Sequence, residues 1–165
     1  MKYLRAIEPE DLDLMYILEN DSRMEVCTAT TVPLSRYALR QYILESKGDL
    51  YADLQVRMAI LDPQTSSACG FLDITDFAPK HRRAQVGIAL MQDVTGRGLA
   101  TNALKEAAGY ARCQGLAQLY AIVATNNAPA RALFGRAGYT EANILSDWLW
   151  VDGHYVDAVL CRLKL

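Results

Sequence analysis

The sequence predicts an α/β (α+β) fold, a mixed sheet of about seven strands flanked by about four helices. Three observations carry this expectation. Stretches of period two and stretches of helical period follow each other in the order β-α-α-β-β-β-α-β-α-β-β. The turn-forming run Asp62-Pro63-Gln64-Thr65-Ser66-Ser67 separates two alternating stretches, as in an antiparallel hairpin. An Ala-rich helix follows directly on a turn that contains Gly96 and Gly98.

Lys2 to Ile7 reads as a short first strand. Pro9 can open a helix, and Glu10 and Asp11 suit its positive end. Leu12, Met15, Tyr16 and Leu18 carry the apolar stripe to about Asn20. Asp21 to Leu34 is irregular and Thr-rich. Ser35 is an N-cap for a second helix with Leu39, Tyr42 and Ile43 on one face, and Gly48 and Asp49 end it. From Leu54 the period is two, with Val56, Met58 and Ile60 on one side. Strands follow at Cys69 to Ile74 and Ala84 to Met91. Ala100 to Cys113 is helical and stops at Gly115. Leu119 to Ala124 is an apolar strand, Ala128 to Ala137 a short helix, and Tyr139 to Leu149 and Tyr155 to Leu163 the last two strands.

A length of 165 residues suits one domain spanning residues 1–165. With 52% hydrophobic and 22% charged residues, disorder is excluded as the main reading. Seventeen Lys and Arg stand against nineteen Asp and Glu, a net charge of −2, so a protein that grips nucleic acid through its phosphates is not expected. Cys27, Cys69, Cys113 and Cys161 form no C-x-x-C pair, so no metal site is expected. Free thiols, and no signal peptide before the first strand, fit a reducing cytoplasm. The uncharged run from Cys113 to Ala130 contains Gly115, Asn126, Asn127 and Pro129, so no membrane span is expected there.

The turn between the third central strand and the Ala-rich helix draws the chemistry. Gly96 and Gly98 let bare backbone N–H groups approach a ligand. The first amides of the helix lack internal partners and carry the positive end of its dipole, which suits a phosphate or pyrophosphate. Arg97 could add a side-chain contact. The turn lacks G-x-x-x-x-G-K-[ST] and the third glycine of the dinucleotide fingerprint. Taken alone, G-x-G reads first as a plain strand-to-helix connection; its place between a strand and a helix without bulky side chains favours ligand binding.

Thr95-Gly96-Arg97-Gly98-Leu99-Ala100 resembles the motif Q/R-x-x-G-x-G/A of the GNAT superfamily of acetyl-CoA-dependent N-acetyltransferases. Gly98 and Ala100 match, and Thr95 departs. Asn127, followed by Ala130, Leu133, Gly138 and Tyr139, is similar to the family's Asn, short helix and Gly-aromatic ending. Arg5 with Asp11-Leu12, His81-Arg82-Arg83-Ala84 and Asp152-Gly153-His154-Tyr155 resemble the branch of ribosomal-protein N-terminal and spermidine acetyltransferases. The resemblance implies a mostly antiparallel central sheet and acetyl-CoA as co-substrate. It implies that Ile88, Ala89 and Leu90 present strand amides to the pantetheine arm. Thr95, Gly96, Arg97, Gly98, Leu99, Ala100 and Thr101 would hold the pyrophosphate, with Asn127 and Phe134 near the arm.

Acetyl transfer to an amine needs a polarised carbonyl, a deprotonated amine and a thiolate that can leave. Polyamine-type members carry a Tyr general acid where this chain has Phe134, and many members carry a Glu where it has Gln85. A phenyl ring has no proton to give, and a neutral amide is no general base. Three readings stay open. In the first, orientation and polarisation suffice, since orientation alone removes roughly 7–11 kcal/mol of barrier. In the second, another side chain acts, with Asp76, Asp73, Tyr139, His81 and His154 available and Gln85 orienting. Or the domain is an acyl-CoA-binding regulator. The expectation is a working N-acetyltransferase with a displaced or water-mediated base, and the regulator is its alternative.

Asp73 and Asp76 lie on opposite faces if their strand stays regular. Asp76 matches an acidic position at the amine site of the spermidine branch, and its alternative is a solvated strand end. Trp148 and Trp150 share a face, to pack on a sheet or, for Trp148, to border the acceptor. Glu25, Asp73, Asp76 and Trp148 are thus the substrate-side candidates. The run Thr28 to Arg36 is poor in acids, which favours a small-molecule amine or a peptide N-terminus over spermidine. A homo-oligomer is the remaining partner expectation.

Overall fold

The computed structural model describes residues 1–21 and 32–165. Strand β1 (Leu4–Ala6) leads through a 3₁₀ turn (Pro9–Asp11) into helix α1 (Leu12–Glu19). Helices α2 (Arg36–Glu45) and α3 (Leu50–Asp53) precede strands β2 (Val56–Leu61), β3 (Ala68–Ala78) and β4 (Arg83–Leu90). Helix α4 (Leu99–Cys113), strand β5 (Gln118–Ala124) and helix α5 (Ala128–Arg136) follow, then strands β6 (Thr140–Val151) and β7 (His154–Lys164).

These strands form one seven-stranded sheet in the order β1-β2-β3-β4-β5-β7-β6. Neighbours are antiparallel except β4 and β5, which run parallel because α4 crosses over between them. The expected mixed, mostly antiparallel sheet is therefore what forms.

Strand alternation assigns the two faces. Leu72, Ile74 and Val86 point to one side and pack with Ala103, Leu104, Ala107 and Ala111 of α4. Ala59 and Phe71 point to the other side and pack with Met15 and Leu18 of α1 and Leu39 of α2. Ala at every contact turn of α4 lets the helix lie close to the sheet. Each fully buried Leu or Ile contributes about 1.5–3 kcal/mol to holding these layers together.

The structure departs from the sequence expectation in three places. Gly48 and Asp49 do more than end a helix. Asp49 starts α3, its Oδ1 accepting from the N–H groups of Tyr51 at 2.7 Å and Ala52 at 3.1 Å. The helices among the described residues are thus five. Strand β3 runs on to Ala78, beyond the expected end at Ile74, and its pairing with β4 slips between Thr75 and Ala78. Asp76 takes φ 53 at that slip, so the regular alternation from Asp73 is broken. Trp148 and Trp150, expected to pack on a sheet, are 56% and 64% exposed. On the hairpin of β6 and β7, Trp150 meets Tyr155 edge-on, with centroids 4.8 Å apart.

Candidate active site

The sheet opens along one seam. β4 and β5 pair only at Arg83–Gln118, Ala84–Leu119 and Gln85–Tyr120. Both strands continue past that point, to Leu90 and Ala124. A wedge therefore separates them, and its walls are backbone edges that have lost their ladder partners.

The register says which amides face the wedge. Met91 N–H donates to Cys69 O at 2.9 Å, on the β3 side. Alternation then turns Gly87 and Ala89 towards β3 and leaves Ile88 and Leu90 facing the wedge. Of the three strand residues expected at the pantetheine arm, Ala89 is thus directed elsewhere. On the opposite wall, Thr125 N–H donates to Asp157 O on the β7 side. The same rule leaves Ile122 and Ala124 facing the wedge. Sequence reading missed this second wall, because only the pairing partners reveal it.

The turn after β4 closes the wide end. Gly96 and Gly98 both take φ 77, a conformation other residues rarely adopt. Gly98 is the N-cap of α4 and offers no side chain to cap it. The first helical bond is Asn102 N–H to Gly98 O at 3.1 Å, so the N–H groups of Leu99, Ala100 and Thr101 precede it unpaired within the helix. A Cβ built on either glycine meets no described atom within 4 Å. Open amides, a helix dipole and free space make this end fit a pyrophosphate.

Thr95 shapes the turn from within, its hydroxyl donating to Gln92 O at 2.8 Å. Arg97, read as a phosphate contact, points back instead. It pairs with Asp62 at 2.8 Å and donates to Gln64 Oε1 at 3.0 Å, in the β2–β3 turn. Asp62 is held below the usual carboxylate range by the Gln64 N–H and, next, by Arg97. Arg97 thus braces the turn against the neighbouring hairpin.

Asn127 caps α5, its Oδ1 accepting from Ala130 N–H at 3.1 Å. Phe134 and Tyr139 are both buried and meet edge-on, with centroids 5.1 Å apart. Tyr139, expected as a catalytic candidate, is only 5% exposed, and its hydroxyl is buried without a hydrogen-bond partner. Burial pushes its phenol far above the ordinary range. The core of the α4 face claims this side chain.

The narrow end of the wedge holds Gln85, opposite Thr75 on β3 and Tyr120 on β5. The Tyr120 hydroxyl donates to Asp76 Oδ2 at 3.0 Å, spanning β4. Burial and this bond to a carboxylate raise the Tyr120 pKa. A cavity of about 400 Å³ opens here, lined by Asp53, Gln55, Asp76, Phe77, Arg83 and Tyr120 among others. Tyr120 was not legible as a site residue, since it lies 44 residues from Asp76. Asp73 is engaged by Arg57, through Nε to Oδ1 at 2.6 Å and Nη2 to Oδ2 at 2.8 Å. Arg57 also reaches Glu19 at 2.6 Å. Glu25 lies outside the described residues, and Trp148 stands exposed on β6. Among the described residues, no group of three or more His, Cys, Asp or Glu side chains could hold a metal ion.

A family model for the acetyltransferase (GNAT) domain matches residues 3–140. The chain belongs to this family. This GNAT protein is 26% identical over 165 residues to YdaF of Bacillus subtilis (strain 168), a candidate ribosomal N-acetyltransferase, covering 97% of this chain and 89% of that one. It is 26% identical over 163 residues to spermidine N(1)-acetyltransferase of Escherichia coli (strain K12), covering 94% and 82%. The spermidine N-acetyltransferase from Vibrio cholerae, solved with CoA and spermine, shares the fold with a TM-score of 0.85 at 23% identity, over 98% and 94% of the two chains. Among the described residues, no helix of this GNAT chain is long and apolar enough to cross a membrane. The protein is an acetyl-CoA-dependent N-acetyltransferase. Acetyl-CoA brings the activated thioester, and the wedge with its open amides is a fitting cradle for it.

Proposed function

We propose that this N-acetyltransferase acetylates a compact primary amine, carried by a small molecule or a peptide N-terminus. The observation that carries the reading is the wedge between β4 and β5, with an anion-binding helix end at its wide mouth and a polar cavity at its narrow one. In this reading Leu99, Ala100 and Thr101 hold the pyrophosphate by N–H groups, on the turn shaped by Thr95, Gly96 and Gly98. Ile88 and Leu90 bind the arm and polarise the acyl carbonyl, and Asn127 and Phe134 support it from α5.

The acceptor amine is held at Asp76 and Gln85. Asp76, oriented by Tyr120, receives the proton of the ammonium, directly or through one water. Gln85 orients the amine without exchanging a proton. Asp53 adds negative charge to the cavity, but Arg83 lines it too, which opposes a long polycation. Asp73, turned to Arg57, contributes charge to the acceptor side and not a free carboxylate.

Residues 1–165 work as one domain in this reading, since one sheet carries strands from Leu4 to Lys164. The exposed Trp148, Trp150 and Tyr155 suit self-association; one relative from Vibrio cholerae is described as dodecameric. Cys69, Cys113 and Cys161 are free thiols, which suits the cytoplasm.

Release of CoA from acetyl-CoA, measured with n-butylamine, a tetrapeptide bearing a free N-terminus, and spermidine, tests the acceptor. Turnover of either of the first two above spermidine is expected. A preference for spermidine overturns the compact-amine reading. CoA binding without release for any amine would favour a regulatory acyl-CoA-binding domain.

A further inference from the structure

Two glycines sit inside central strands, where glycine weakens a sheet. Gly70 in β3 has an internal reason: a Cβ there would lie 2.3 Å from Ala89 O. Gly87 in β4 has none. No described atom lies within 4 Å of the place its Cβ would occupy, and its φ is not positive. Neither packing nor backbone conformation within the described chain asks for a glycine there.

Its position is specific. Gly87 lies two residues beyond Gln85, the last β4 residue paired to β5, so it stands where the wedge begins. It pairs with Asp73 and therefore shares the face on which α1 and α2 pack, opposite α4. Asp73 is one strand spacing away, about 5 Å. There one guanidinium, Arg57, meets two carboxylates, Asp73 and Glu19, with side chains 17%, 26% and 13% exposed. The half-buried cluster leaves one negative charge in excess beside the open space. Tyr42 and Phe71 rings flank Arg57 at 5.5 and 5.7 Å and fix it.

We propose that the missing side chain of Gly87 is a slot through which an unbranched primary ammonium reaches the wedge, guided by the excess negative charge of the Arg57–Asp73–Glu19 cluster. Gly87 is thus a specificity-determining residue. The slot admits an amine on a methylene, among peptide N-termini that of glycine, and rejects an amine on a branched carbon. The inference rests on the proposed amine acetylation and adds to it the shape of the acceptor.

Gly87→Ala and Gly87→Val fill the slot in two steps. Valine suits a strand, and circular dichroism with thermal melting checks the fold; the alanine variant serves if valine does not fold. With n-butylamine, kcat/KM should fall about threefold for alanine and at least thirtyfold for valine, while the Kd for CoA stays within twofold. The wild type should prefer n-butylamine over sec-butylamine at least tenfold. Unchanged kcat/KM in both variants, or an equal loss of CoA binding, overturns the slot. A second readout does not depend on turnover. In CoA-saturated protein, n-butylammonium should shift the NMR signals of the Gly87 amide and the Gln85 side-chain amide, and should not do so in the valine variant. Such shifts with no acetylation of any amine would remove the proposed reaction and keep the slot. Acetylation without shifts would remove the slot and keep the reaction.

Discussion

Arg57 grips Asp73 with two parallel N–H···O bonds, Nε to Oδ1 at 2.6 Å and Nη2 to Oδ2 at 2.8 Å, across the β2–β3 pair. The fork fixes a carboxylate next to the narrow end of the wedge. Burial opposes the charge on Arg57, yet the bonds to Asp73 and the nearby Glu19 outweigh it and raise its pKa. Arg57→Leu strands two half-buried carboxylates and should destabilise the fold by on the order of 3 kcal/mol. Urea unfolding at pH 7 checks this, and a loss below about 0.5 kcal/mol would show that the cluster is solvated. Arg57→Leu combined with Asp73→Leu should recover part of the loss.

The phenol of Tyr139 is buried and unpartnered beside the phenyl ring of Phe134. Tyr139→Phe removes an unsatisfied hydroxyl and should leave stability unchanged or slightly improved, with kcat within about twofold. Phe134→Tyr adds a hydroxyl at the position where the resemblance to polyamine-type members implies a general acid, and should raise kcat about tenfold. Steady-state kinetics on both variants decide. A large loss of kcat in Tyr139→Phe would return that hydroxyl to the mechanism.

Gly98 combines a positive φ with open space where a side chain would go. Gly98→Ala should cost about 1–2 kcal/mol of stability through backbone strain and retain CoA binding. Gly98→Asp adds a negative charge facing the pyrophosphate and should abolish binding. Wild-type protein gains about 2.7 kcal/mol at a hundredfold excess of ligand over Kd, so the shift in melting temperature with CoA is the measurement. A full shift in Gly98→Asp would mean that the pyrophosphate lies elsewhere.

Asp11 is buried and receives both Arg5 nitrogens, at 2.7 and 2.8 Å, and the Glu8 N–H at 2.8 Å. Burial alone would raise its pKa, but these bonds outweigh it, and the net shift is downward. A carboxylate with a lowered folded pKa stabilises fully above the ordinary value of about 4. The contribution fades as pH falls through the lowered folded value. The stability gap between wild type and Asp11→Asn should therefore be constant from pH 8 to pH 6 and shrink towards pH 2. Urea unfolding across that range checks the sign, and a gap that widens on acidification would contradict it.

Elements with a strong period, such as α4 and the β2–β3 hairpin, were legible in the sequence because a single face decides them. The glycine turn was legible because few residues tolerate φ 77. Helix α3 was not, since its four residues carry no period and its cap, Asp49, also suits a helix end. The acceptor side was least legible. Asp76 meets Tyr120 only because β3 slips and β5 lies parallel beyond β4, which are properties of pairing between distant segments. Arg97 carried a plausible charge, but which way it turns depends on Asp62, 35 positions earlier in the chain.

The seam between β4 and β5 also has a mechanical meaning. Among the described residues, three register pairs are the only ladder joining β1–β4 to β5–β7. Backbone pairing thus joins the two halves at one narrow end, as a hinge pin joins two plates, while the core shared under α4 holds them together on one face. A thioester arm lying along Ile88 and Leu90 would act as a short guest strand and stiffen that joint. Amide hydrogen exchange in the upper part of β5, at Ile122 and Ala124, should then be fastest in the free protein and slow most when CoA binds.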